Sequence, residues 1–139
     1  LLHKVFDRYD YILIDCLPSL GVLVVNALVA ADGVLIPVQT QKFALNGIVQ
    51  FEEIMTLAKE LNPELTLYGV IETMTDNTRM TKAVDEALTE RYGKLVFNSC
   101  ISKSIAASNS TAEQKAMTIN TKLGAQYADL TNELIERCK

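Results

Sequence analysis

Residues 11–21 read Tyr-Ile-Leu-Ile-Asp-Cys-Leu-Pro-Ser-Leu-Gly, and no other stretch restricts the fold as much. An unbroken apolar run that ends in a carboxylate is the pattern of a parallel strand buried on both faces, with Asp15 delivered at its C-terminal end. Ligands of open α/β sheets gather at that edge. The same residues also suit a structural strand whose aspartate caps the next helix. Taken alone, the run does not separate the two.

The segments that follow keep to one rhythm. Strand one is expected over 11–15. Leu20, Leu23, Val24, Ala27, Leu28 and Ala31 then recur at helical spacing, with Ser19 as the N-cap and Gly33 free to take positive φ at the end. Val34–Val38 is a second strand, in which Pro37 is awkward because it cannot donate to a ladder. A polar loop over 39–43 comes next, on the same edge as Asp15. A helix carrying Ala44, Ile48, Phe51, Met55 and Ala58 ends before Asn62-Pro63. The third strand is expected over Leu65–Thr73, followed by a turn at Thr75–Thr78. The next helix places Met80, Val84, Ala87, Leu88 and Tyr92 on one face and closes at Gly93. Leu95–Phe97 reads as a short fourth strand, and 98–121 as a loop with one short helix. Leu123, Tyr127, Leu130 and Leu134 mark the final helix. Helical crossovers join parallel neighbours with one hand. The expected fold is therefore one α/β domain over 1–139, a parallel sheet with helices on both faces. Its functional edge would hold the loops 15–21, 39–43, 73–79 and 98–104.

Composition narrows the classes. The chain has 139 residues, 49% of them hydrophobic and 22% charged, which suits one soluble domain with a real core. No apolar run has the length of a membrane span, since 22–31 is short and interrupted by Asn26. There is no basic-then-apolar leader, so export is not expected. Three cysteines without metal spacing suit a reducing cytosol, and His3, the sole histidine, sits in no motif. A net charge of −4 means that nucleic-acid contact would need a local basic cluster. The opening Leu1-Leu2-His3-Lys4, without methionine and close to a core strand, suggests a fragment or a numbering that omits upstream residues.

The order of segments resembles the ParA/Soj/MinD group of deviant Walker-type ATPases, and most closely its ParA/Soj branch. "YDYILIDCLPSLG" looks like that branch's Walker B strand and switch II. "NALVAADGVLIPVQTQKFALNGI" is similar to its next helix, strand and loop, "GVIETMTDNTR" to a later strand and loop, and "LGAQYADLTNELIE" to its last helix. The chain departs at Leu17, where the family usually has a proline, and at Thr78, which looks like an insertion before Arg79. Further departures are Ser102-Lys103, in place of Pro-Arg, and Ser108-Asn109-Ser110. No Gly-rich Lys-Ser/Thr loop occurs in the 139 residues. The resemblance implies that the phosphate-binding loop, its lysine and the switch I aspartate precede Leu1.

The resemblance also implies roles. Asp15 would hold water in the outer shell of Mg²⁺, only with nucleotide present. Pro18, Ser19 and Gly21 would form switch II, ordered by the nucleotide. Thr73, Met74, Asp76 and Ser102 would lie near the adenine, and Arg79 and Lys103 could meet DNA phosphates without reading sequence. The intact protein would use ATP and Mg²⁺, dimerise on ATP, bind DNA non-specifically and work with a centromere-binding partner. It would be cytoplasmic and nucleoid-associated, with no membrane contact. The 139 residues alone would neither hold nucleotide nor turn it over. Two alternatives stay open, a truncated non-enzymatic relative acting through protein contacts and a MinD-like ATPase. The second predicts a basic amphipathic C-terminal helix, which the mixed charges of Leu134–Lys139 do not supply.

Overall fold

A computed structural model describes residues 6–16, 21–40, 44–104, 107 and 118–138. The described residues hold three parallel strands, β1 (Gly33–Gln39), β2 (Thr66–Thr75) and β3 (Ile101–Ser102), in that spatial order. The helices are α1 (Val22–Ala30), α2 (Ala44–Leu61), α3 (Arg79–Tyr92) and α4 (Lys122–Arg137), with 3-10 turns at Phe6–Arg8 and Gly93–Leu95. The α/β expectation holds.

Strands that follow one another in both sequence and space, joined by right-handed crossovers, place their helices on the same face. The buried core agrees. Val34, Ile36 and Val38 of β1 and Val70 of β2 pack with Val24 and Leu28 of α1, Ile48, Met55 and Ala58 of α2, and Val84 and Leu88 of α3. The other face of β2 opens at Gly69, where a β-carbon would come within 2.4 Å of the Phe97 ring and 2.5 Å of the Leu95 carbonyl. There α4 lies, its Arg137 guanidinium stacked 3.9 Å from the Phe97 ring centroid.

Pro37 fits for a geometric reason. Thr40 N donates to Thr73 O and Asp32 O accepts from Thr66 N, so the even-numbered residues of this segment turn their main-chain groups toward β2. Pro37 therefore faces the outer edge of β1, where no described strand pairs and no donor is missed. Asn62, expected only to stop α2, also caps α1, donating through Nδ2 to the carbonyls of Leu28 (3.3 Å) and Ala31 (2.8 Å).

Four expectations are corrected. Residues 11–16 form no strand, and Tyr11, Ile12, Leu13 and Ile14 stand exposed, Leu13 at 82%. A strand is a property of a pair, since its amides and carbonyls need a ladder, and no described strand lies beside this run. Gly33 does not end α1 in a left-handed conformation. It opens β1, and its missing side chain leaves room for the Tyr68 ring, which a β-carbon would meet at 2.1 Å. Leu95–Phe97 is no strand either. Val96 makes one bridge to Val70, Phe97 N donates to Val70 O, and Arg137 takes the Leu95 and Val96 carbonyls, so the third ladder begins only at Ile101. In α3 the buried residue of the first turn is Thr81, while Met80 is exposed at 45%. The Ser19 cap and most of the short helix expected within 98–121 lie outside the described residues.

The entry to α4 has a real cap. Thr121 Oγ1 accepts from Gly124 N at 3.0 Å and donates to Thr118 O at 2.9 Å. Thr121→Ala is expected to lower stability by about 1 kcal/mol, read as a shift in urea midpoint at unchanged slope. An unchanged midpoint would show that the cap contributes nothing.

Candidate functional site

The C-terminal ends of β1, β2 and β3 meet at one edge. Gln39 pairs in register with Thr73, Thr73 with Ile101 and Thr75 with Ser102. Lys103 N then donates to Thr75 O at 2.9 Å, which carries the β3 end directly past the 75–78 loop. Of the residues singled out in the sequence, Thr73, Met74, Asp76, Arg79, Ser102 and Lys103 come together here.

Asp76 is the hub. Its Oδ1 accepts from Thr78 N (3.0 Å), Thr78 Oγ1 (2.6 Å) and Thr81 Oγ1 (2.7 Å). Thr78 also caps α3 by accepting from Thr81 N. Those hydroxyls, then the Thr78 amide and the nearby Lys103 charge, hold the Asp76 carboxyl below the usual carboxylate range. The arrangement fixes the N-terminus of α3, with Arg79 as its first helical residue and exposed.

Thr40 ties β1 into the same edge. It is 3% exposed, and its Oγ1 lies within donating reach of Met74 O (3.3 Å) and Thr73 O (3.4 Å). Thr73 Oγ1 returns a bond to Val38 O at 3.3 Å. Met74 has φ 56°, the sole left-handed non-glycine among the described residues, and its side chain is 41% exposed. Ser102 is engaged elsewhere, since its N and Oγ both donate to Gln126 Oε1 of α4, at 3.1 and 2.9 Å.

Asp15 is not drawn in. It is exposed, and the described residues give it no hydrogen-bond or ion-pair partner. A single carboxylate cannot hold Mg²⁺ by itself, and no group of three His, Cys, Asp or Glu suited to a metal occurs among the described residues. Gly21 serves as the N-cap position of α1, its carbonyl accepting from Val24 N and Val25 N. Pro18 and Ser19, and the 41–43 part of the polar loop, lie outside the described residues.

The sequence points to Thr40 only as part of the 39–43 loop and to Thr81 and Glu72 not at all; these three are the buried polar residues of the described chain. Glu72 alone interrupts an apolar run, and that interruption was the available signal for it; Thr40 and Thr81 sit among polar neighbours. Glu72 is the most unusual. It is 8% exposed, pairs in register with Val38 on the face covered by α1–α3, and its Oε1 has no hydrogen-bond partner among the described residues. Burial, then the neighbouring Asp85 charge, pushes its carboxyl up.

Comparison with known proteins agrees with this fold. A family model described as an AAA domain matches residues 1–67. The chain is 38% identical over 141 residues to the chromosome partitioning protein ParA of Myxococcus xanthus, covering 98% of this chain and 50% of that one. It is 38% identical over 144 residues to the chromosome-partitioning ATPase Soj of Treponema pallidum, covering 99% and 56%. The structure superposes with TM-score 0.81 and 26% identity on a Borrelia burgdorferi B31 protein assigned to plasmid partition and solved with AMPPNP, covering 98% and 53%. The chain thus spans about half the length of the relatives it matches. By motif order, strand topology and these likenesses, the chain matches the ParA/Soj family over about half the length of its members.

Proposed function

We propose that these residues are the C-terminal part of a ParA/Soj-type partition ATPase, supplying the base side of the nucleotide site and the Mg²⁺-side carboxylate. The observation that carries the reading is the edge at which Thr73, Met74, Asp76 and Ser102 meet, at the C-terminal ends of parallel strands in an AMPPNP-binding fold. A lone carboxylate suits such a role, and no group of three His, Cys, Asp or Glu that could hold a metal occurs among the described residues. Asp15 alone suits a hydrated Mg²⁺ held chiefly by phosphates, and Pro18, Ser19 and Gly21 would follow it as switch II. Nucleotide and Mg²⁺ would supply the phosphoryl chemistry, with amides and a lysine from a longer chain. The outer edge of β1 and the exposed run Tyr11–Ile14 support that longer sheet, since both are apolar or hydrogen-bonding surfaces without a described partner.

On this reading the intact protein dimerises on ATP, binds DNA non-specifically and works with a centromere-binding partner at the nucleoid, in the cytoplasm. Arg79 and Lys103 flank Asp76 on an otherwise acidic chain and are the candidate phosphate contacts. In the full-length protein, Asp15→Ala is expected to lower Mg²⁺-dependent ATP hydrolysis by roughly a hundredfold or more. Arg79→Ala with Lys103→Ala is expected to weaken DNA binding and lower its salt slope by about 2. The 139 residues alone are expected to show no turnover. Saturable hydrolysis by them, or unchanged hydrolysis in the Asp15→Ala protein, would overturn the assignment.

A further inference from the structure

Among the described residues, one residue sits in a costly backbone conformation, and two of the three buried polar side chains are spent beside it. Met74 is left-handed at φ 56°, a region that side chains with a β-carbon rarely adopt. Such strain persists only where the surroundings hold it. Here the holding groups can be named. Thr40 N donates to Thr73 O at 3.0 Å and Thr40 Oγ1 to Met74 O, so both peptide carbonyls around the turn are fixed by the residue that follows β1. On the far side Asp76 is gripped by Thr78 and Thr81 of α3. Each hydroxyl has one proton. Thr81 spends its own on the Asp76 carboxylate at 2.7 Å, while its oxygen lies 3.3 Å from Thr40 Oγ1, and Thr40 is left to serve Met74.

We propose that Thr40 is a positioning residue, a latch that holds Met74 left-handed so that its thioether side chain forms one wall of the nucleotide's base subsite. This rests on the nucleotide reading given above. The chemistry suits a planar heterocycle, because a thioether is polarizable and adapts to an aromatic face. A left-handed residue at a strand end turns its side chain out of the sheet, and Met74 is 41% exposed at the edge where the strand ends converge. The latch touches only the carbonyls of Thr73 and Met74, so its effect is expected on the base rather than on the phosphates.

The test compares ATP with inorganic tripolyphosphate, each with Mg²⁺, by calorimetry on the full-length protein. Thr40→Val keeps the shape and removes the hydroxyl. It is expected to weaken ATP roughly fivefold to twentyfold while tripolyphosphate stays within about twofold. Thr40→Ser is expected to restore the wild-type ratio. Met74→Gly suits the left-handed conformation and removes the side chain, so it is expected to raise the unfolding temperature and still weaken ATP alone. If Thr40→Val lowers both affinities equally, or neither, the latch is wrong and the nucleotide reading stands. If Met74→Gly leaves ATP affinity intact, Met74 is no wall. Should the wild-type protein bind neither ligand, the nucleotide reading fails first and takes this one with it.

Discussion

Arg137→Leu is expected to destabilise the fold by about 2–4 kcal/mol, more than any single cap or surface ion pair in the chain. The side chain is only 20% exposed and its guanidinium reaches three carbonyls of two other segments, Tyr68 O (3.4 Å), Leu95 O (3.2 Å) and Val96 O (3.0 Å). It also binds Glu133 Oε1 at 2.7 Å and stacks on Phe97. These contacts join the last turn of α4 to the segment at which the third ladder is interrupted. Leucine would keep the apolar stem and leave the carbonyls and the Glu133 carboxylate to water. Burial pushes Glu133 up, but the Asn98 and Ser99 amides and Arg137 outweigh it and hold the group low. A carboxyl held low contributes stability above its unfolded pKa, and that stability is lost as pH falls through the folded value. Removing Arg137 should therefore shrink the acid limb of the stability profile as well. Arg137→Lys keeps the charge but not the planar fork, and is expected to recover less than half the loss. Urea unfolding decides it, and equal midpoints for wild type and Arg137→Lys would mean that charge alone matters.

The Arg137 network shows where sequence legibility ends. The chain end reads Leu134-Ile135-Glu136-Arg137-Cys138-Lys139, a mixed-charge helix terminus with nothing to mark one arginine. Its importance comes from carbonyls 41 to 69 positions away, which no local pattern carries. The strands β1 and β2 were legible as short runs rich in apolar and β-branched residues between turn signals, and the helices because their periodicity is local. Tyr11–Ile14 reads the same way and forms no strand, since the partner that makes a run into a strand is not in the run. The candidate site divides likewise. Met74 and Asp76 could be named from a motif, whereas Thr40 and Thr81 serve the site across 34 and 5 positions, as hydroxyls with no signature of their own.

Glu72→Leu is expected to raise stability at neutral pH by about 1–3 kcal/mol, the reverse of the usual effect of a core substitution. The carboxylate lies among Val38, Val70 and the α1–α3 core with Oε1 unpartnered, and Asp85 of α3 adds a like charge. Burying an ion without a partner is costly, and leucine of similar volume removes the cost without opening a cavity. The sign of the pH dependence follows from the same facts. An acid whose folded pKa is raised binds its proton more tightly when folded, so it costs nothing below its unfolded value. The penalty grows as pH rises through the interval between the two values and is complete above the folded one. The gap between wild type and Glu72→Leu should therefore be small near pH 4, widen with rising pH, and level off. Glu72→Gln, still polar but uncharged, should fall between them and show little of this slope. A wild-type protein as stable as Glu72→Leu at pH 8, or a gap that does not close in acid, would mean that Glu72 is paired in solution. The side chain that most disfavours this core would then have a partner that the described residues do not contain.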